Sequence, residues 1–142
     1  MPALFPADDL TIPNEELLYY RVFPRADEIQ RVENGDGYRP ASGSLRRHSQ
    51  PLSVDLSTLS TPEATRDRDR SSPFHVAAFS AGLARAVGCR VVGDPEVNNV
   101  AHALVFGSNQ DGTGALTKSQ TKNIARNAFI VLLNPMAPLP RF

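Results

Sequence analysis

The rhythm of hydrophobic and polar positions changes several times along the chain, and each change predicts an element. Residues 17–23, LLYYRVF, form an aromatic and aliphatic run closed by Pro24, which predicts a strand. Leu52, Val54 and Leu56 alternate with Ser53, Asp55 and Ser57, the period of a strand with one polar face. Between these runs, Asn34-Gly35 and Asp36-Gly37 are turn dipeptides and predict a hairpin or an ordered loop. Ser60 or Thr61 as a cap, Pro62 at the first helical position and Glu63 three after Ser60 predict the start of a short helix. Val76, Phe79, Leu83 and Val87 recur at three- and four-residue spacing before Gly88, the pattern of a helix, although the first residues of that stretch also suit a strand. Residues 89–93, 101–107 and 129–133 read as further strands, and 115–128 as a helix.

Strands and helices alternate only in the second half, so the expected fold class is α+β, a mixed α/β arrangement. The expectation is a single compact domain with a small mixed sheet and about two to three helices. Residues 1–13, with Pro2, Pro6 and Pro13 among acidic and small residues, read as an extended, mobile N-terminal arm. The globular domain then covers residues 14–135, and 136–142 form a Pro-rich tail.

Composition narrows this picture. A chain of 142 residues, 41% hydrophobic, suits one ordinary globular core, and its 12 prolines argue against a long dominant helix. The single cysteine, Cys89, can form no internal disulfide and, with three scattered histidines, builds no zinc motif. No basic segment precedes an apolar stretch at the N-terminus, and no apolar run approaches a membrane span. A soluble cytoplasmic protein that meets no membrane is expected. Net charge is +0, which argues against a general nucleic-acid surface. The charge is uneven, because Asp8, Asp9, Glu15 and Glu16 face no cation in residues 1–20, whereas Lys118, Lys122, Arg126 and Arg141 face no carboxylate in 112–142. Either the two ends attract each other weakly or the basic end meets an acidic partner.

The candidate chemistry lies in polar groups set inside apolar strands. In a strand, His102, Leu104 and Phe106 share one face and Ala101, Ala103 and Val105 the other, so the strand should be internal. His102 is then either a core histidine satisfied by Asn98 or Asn99, or a base working with Asp94 or Asp55. Arg21 lies in LLYYRVF, where its guanidinium needs an acid such as Asp55 or Glu33 and its stem can pack on Tyr19 or Phe23. The alternative is that Arg21, Arg39, Ser53 and His102 surround a small anion. Arg39, Arg46, Arg47 and His48, with Ser42 and Ser44, supply further anion donors.

Other signals point to structure. GSNQDGTGALTK has two glycines at phosphate-loop spacing but lacks Lys and Ser or Thr after the second, so it reads as a surface loop. The run Arg66, Asp67, Arg68, Asp69, Arg70 reads as a solvated helix end. Lys118, Lys122 and Arg126 form one basic helix face, solvated by default or else against nucleic acid or an acidic protein. Cys89 reads as a plain core residue.

The stretches LLYYRVFP, YRPASGSL, LSVDLSTLSTPE and DPEVNNVAHALVFG resemble a group of small uncharacterised bacterial proteins, over roughly residues 17–107. That likeness implies a bacterial origin and one domain, with no activity attached. The order of Arg21 and then Ser53, each in a strand, is also similar to ADP-ribosyltransferase-type toxins, which add a late catalytic Glu. No glutamate follows Glu96 here.

Two functional expectations result. One is a non-catalytic accessory protein that binds a protein partner or a ligand. The other is a transferase or hydrolase acting on a nucleotide-like anion, with His102 and Asp55 as candidate catalytic residues and Arg21, Arg39 and Ser53 as candidate ligand-binding residues. No motif calls for a cofactor or a metal, nucleic acid is not an expected partner, and the sequence leaves enzyme or not, and oligomeric state, open.

Overall fold

A computed structural model describes residues 7–32, 37–46, 49–137 and 139 of the chain. It is a mixed α+β domain. The elements run β1 (Leu17–Val22), β2 (Ile29–Arg31), β3 (Tyr38–Pro40), a 3-10 turn (Ser42–Leu45), β4 (Leu52–Leu56), α1 (Pro62–Asp67), β5 (His75–Ser80), α2 (Ala81–Ala86), β6 (Arg90–Gly93), β7 (His102–Phe106), α3 (Lys118–Ala125) and β8 (Phe129–Leu132). Six strands form one sheet in the order β6-β7-β4-β1-β5-β8, and β2 and β3 form a separate hairpin. Every pairing between these strands is antiparallel.

Alternation along the strands divides the sheet into two faces. Leu18, Tyr20 and Val22 of β1 stand beside Leu52 and Val54 of β4, Ala77 and Phe79 of β5, and Ala103 and Val105 of β7. These side chains pack with Ile29 of the hairpin, Leu45 of the 3-10 turn, Ala84 of α2 and Ile124 of α3, and this layer is the hydrophobic core. Tyr20 meets Phe79 edge to face, with ring centroids 5.7 Å apart, and its hydroxyl bonds with Ser44 Oγ at 3.0 Å. His75 belongs to the same face and is fully buried. Its Nδ1 accepts from the Asn134 backbone N–H, so the proton sits on Nε2, which has no partner among the described residues. Burial alone pushes its pKa down and keeps it neutral.

The helix expected around Val76, Phe79, Leu83 and Val87 begins one strand later. Residues 75–80 run between β1 and β8 as β5, buried on both faces, and a continuous apolar run suits either a helix or a doubly covered strand. Ser80 ends the strand and caps α2, its side chain accepting from the Leu83 N–H at 3.1 Å. Gly88 follows with φ +92°, the left-handed position the sequence predicts after this helix. The cap of α1 is Thr61, whose hydroxyl accepts from the Ala64 N–H; Ser60 bonds with the Thr65 hydroxyl instead.

Residues 8–12 of the expected arm are tied to the sheet edge. Asp9 N–H donates to the Val91 carbonyl, and the Asp8 carboxylate accepts from the Val91 N–H and from Arg85 Nε. The N-terminal acid Asp8 therefore pairs with Arg85 of α2, and Glu16 accepts from Ser57 and Thr58. Residues 1–6, the turn dipeptides at 34–36, Arg47, His48 and Arg141 lie outside the described residues. Among the described residues, no helix is long and apolar enough to cross a membrane.

Candidate functional site

The opposite face of the sheet carries the polar members of the same strands. Tyr19 and Arg21 of β1, Ser53 and Asp55 of β4, and His102 of β7 all lie on it. Register places Tyr19 beside Asp55, and Asp55 beside His102. They line a cleft of about 600 Å³. One wall is α1, through Thr65 and Arg68; the other is the 94–101 loop, through Glu96, Asn98 and Asn99.

Asp55 ties both walls to the floor. It is buried, and its Oδ2 accepts from Thr65 Oγ1 at 2.7 Å and from Arg68 Nε at 3.1 Å, while its Oδ1 accepts from Asn99 Nδ2 at 2.7 Å. Burial pushes this carboxyl up, but hydrogen bonds from Asn99 and Thr65, with the Arg68 guanidinium, outweigh it and hold the pKa below the usual value. Asp55 stays ionised, and a carboxylate so engaged organises the site without being free to move protons.

The loop wall is a tight turn. Glu96 and Asn99 exchange two backbone hydrogen bonds of 3.0 Å around Val97 and Asn98. The Asn99 carbonyl also accepts from the His102 N–H, and its side-chain oxygen accepts from the Ala101 N–H. Asn99 is thus fixed by backbone groups before its amide reaches Asp55.

His102 finds its partner in Asp94, not in Asn98 or Asn99. Nδ1 lies 3.0 Å from Asp94 Oδ2 and 3.1 Å from the Asp94 carbonyl, with Glu96 Oε1 at 3.4 Å. Of the two acids expected for Arg21, Glu33 lies outside the described residues and Asp55 is engaged by Arg68. Arg21 donates to the Thr65 carbonyl at 3.3 Å and lies over the Phe74 ring at 5.6 Å. Ser53 is exposed, and neither its hydroxyl nor that of Tyr19 bonds a described residue.

Four of the five sequence candidates therefore meet: Arg21, Ser53, Asp55 and His102. Arg39 does not. It lies on β3 beside Gln30, Lys122 and Arg126, around a separate hollow of about 150 Å³. Ser44 is spent on Tyr20 and the Ala41 carbonyl. Cys89 is buried and its thiol is pushed up to about 12 by burial, so it is an inert core residue. The 107–117 loop holds no phosphate cradle. Gly107 packs so closely on Ala115 and Leu116 that a Cβ would sit 2.3 Å from backbone, and Thr117 caps α3 in a capping box with Gln120. No group of His, Cys, Asp and Glu among the described residues is placed to hold a metal ion.

Sequence reasoning missed Arg68, hidden in a run that reads as solvated, and Thr65, just before that run. Their signal is spacing. Three residues apart on a helix, they share a side, whereas Arg66 pairs with Asp67 and Arg70 approaches the same carboxylate. No protein-family model, curated protein or solved structure matches the chain.

Proposed function

We propose that the chain is a transferase or hydrolase acting on a nucleotide-like anionic substrate, ADP-ribosyltransferase-like in the order of its strand residues, with this cleft as its active site. The carrying observation is the convergence of Arg21, Ser53, Asp55 and His102, from three adjacent strands, on one open cleft. If these groups existed only to neutralise one another, as in the accessory-protein reading, each would be consumed by an internal partner. Asp55 is so consumed. Among the described residues, the Ser53 and Tyr19 hydroxyls and the second nitrogen of His102 have no such partner.

The cleft offers what such a substrate needs. Tyr19 supplies a ring for a base to lie against, Arg21 and Arg68 supply guanidinium groups for phosphate, and Asn98, Ser53 and Glu96 supply hydrogen bonds for ribose hydroxyls. Glu96 lines the same cleft as Arg21 and Ser53, although it precedes β7 and is not a late glutamate.

Thermal shift with NAD, mononucleotides and sugar phosphates tests this. At saturation, a nucleotide-bearing member should raise the melting temperature by several degrees, and Arg21→Ala should abolish the rise. No response to any of these anions would overturn the reading in favour of a partner-binding protein.

A further inference from the structure

Resting on that reading, we infer that His102 is the general base of the site, held by Asp94, and that it activates water against the bound nucleotide. All three groups around Nδ1, the Asp94 carboxylate, the Asp94 carbonyl and the Glu96 carboxylate, are acceptors only. Nδ1 must therefore carry the proton, which leaves the neutral ring with its lone pair on Nε2. That nitrogen bonds no described residue, yet it is not among the atoms shut off from solvent. His102 lines the cleft, whereas Asp94, whose carboxylate and carbonyl hold Nδ1, does not.

The backbone fixes this geometry from both ends. Asp94 N–H donates to the His102 carbonyl, and the His102 N–H donates to the Asn99 carbonyl. The loop that carries Asp94 and Glu96 thus closes onto the strand that carries the ring. Ser53 lies diagonal to His102 across the β4–β7 pair, where a water between the two would be held by both its hydroxyl and Nε2.

In the step itself, Nε2 takes a proton from that water as its oxygen bonds to the electrophilic centre of the substrate. The bond to the leaving group breaks and the leaving group departs with the electron pair. The imidazolium, steadied by Asp94 and Glu96, then returns the proton to solvent or to the leaving group. No oxidant or reductant is involved. His102 is the catalytic residue and Asp94 a positioning residue.

The probe is 1,N6-etheno-NAD, whose fluorescence rises on cleavage of either the glycosidic or the pyrophosphate bond, with chromatography telling the two products apart. The wild-type chain should cleave one of them. His102→Ala and the near-isosteric His102→Gln should lower kcat by about 100-fold or more with KM kept, and added imidazole should restore His102→Ala. Asp94→Asn should lower kcat on its own, yet lower it no further in a His102→Ala background, because it acts through the ring. Folded His102 variants that turn over at the wild-type rate would overturn the assignment. So would binding of the probe without cleavage, which removes the base and leaves the cleft as a binding or transfer site. Absence of binding by the wild type would overturn both the cleft reading and the base.

Discussion

On one face of the sheet, Leu18, Tyr20, Val54, Ala77 and Val105 meet helices and a hairpin with few polar atoms between them. On the other, the residues next to them in sequence, Tyr19, Arg21, Ser53, Asp55 and His102, line a cleft walled by one short helix and a loop. The same strands build both layers, because successive side chains point to opposite faces. The difference lies in what holds each layer together. Apolar contact is non-directional and scales with area, whereas the cleft depends on a few directed bonds, three of them meeting at Asp55. It follows that the two faces should fail differently. Damage to the core face should lower stability wherever it falls, and damage to the cleft face should change recognition, with stability affected only at the carboxylate.

The largest effect is expected in the core. Phe79→Ala empties a fully buried ring site and removes the edge contact with Tyr20, at about 3–5 kcal/mol. Chemical denaturation should show this loss, and a cost under half of it would mean that the face is less tightly packed than its burial implies.

Asp55→Asn comes next. Its amide cannot accept from Thr65, Arg68 and Asn99 together, so about 2–3 kcal/mol should be lost, along with ligand protection. The sign of the pH dependence follows from the lowered pKa. The contribution of the carboxylate is fully present above its unfolded value of 3.8 and fades as pH falls through the lower folded value. The gap between wild type and Asp55→Asn should therefore be constant near neutrality and close only below about pH 3.8. A gap that closes near pH 6 would point to a histidine instead.

Period-two alternation made both faces legible in β4, and in β1 and β7 Arg21 and His102 stood out as polar groups inside apolar runs, which is why Arg21, Ser53, Asp55 and His102 could be singled out from sequence. What they bond to was not legible. Partner choice depends on how α1 and the 94–101 loop cross the sheet, and these contacts join residues far apart in sequence, such as Asp55 with Asn99. Arg39 was misgrouped for the same reason, since nothing in YRPASGSL shows that β3 folds to the core side against α3. The run HVAAFS was ambiguous in itself, because a strand covered on both faces shows no alternation.

The smallest expected effect separates the faces most sharply. Thr61 and Thr117 make the same N-cap bond, to Ala64 N–H and Gln120 N–H, so Thr61→Ala and Thr117→Ala should each cost about 1 kcal/mol. Helix α3 contributes Ile124 to the core, and its loosening should leave the cleft intact. Helix α1 presents Thr65 and Arg68 to Asp55 and a carbonyl to Arg21, so fraying of its first turn moves a wall of the cleft. Amide exchange should accelerate at Thr65 in the first variant and at Thr121 in the second, since these N–H groups bond to the Thr61 and Thr117 carbonyls. Nucleotide binding should weaken in Thr61→Ala alone. Equal weakening in both variants would mean that the cleft draws its shape from the whole domain, and that the division between a packed face and a working face does not hold.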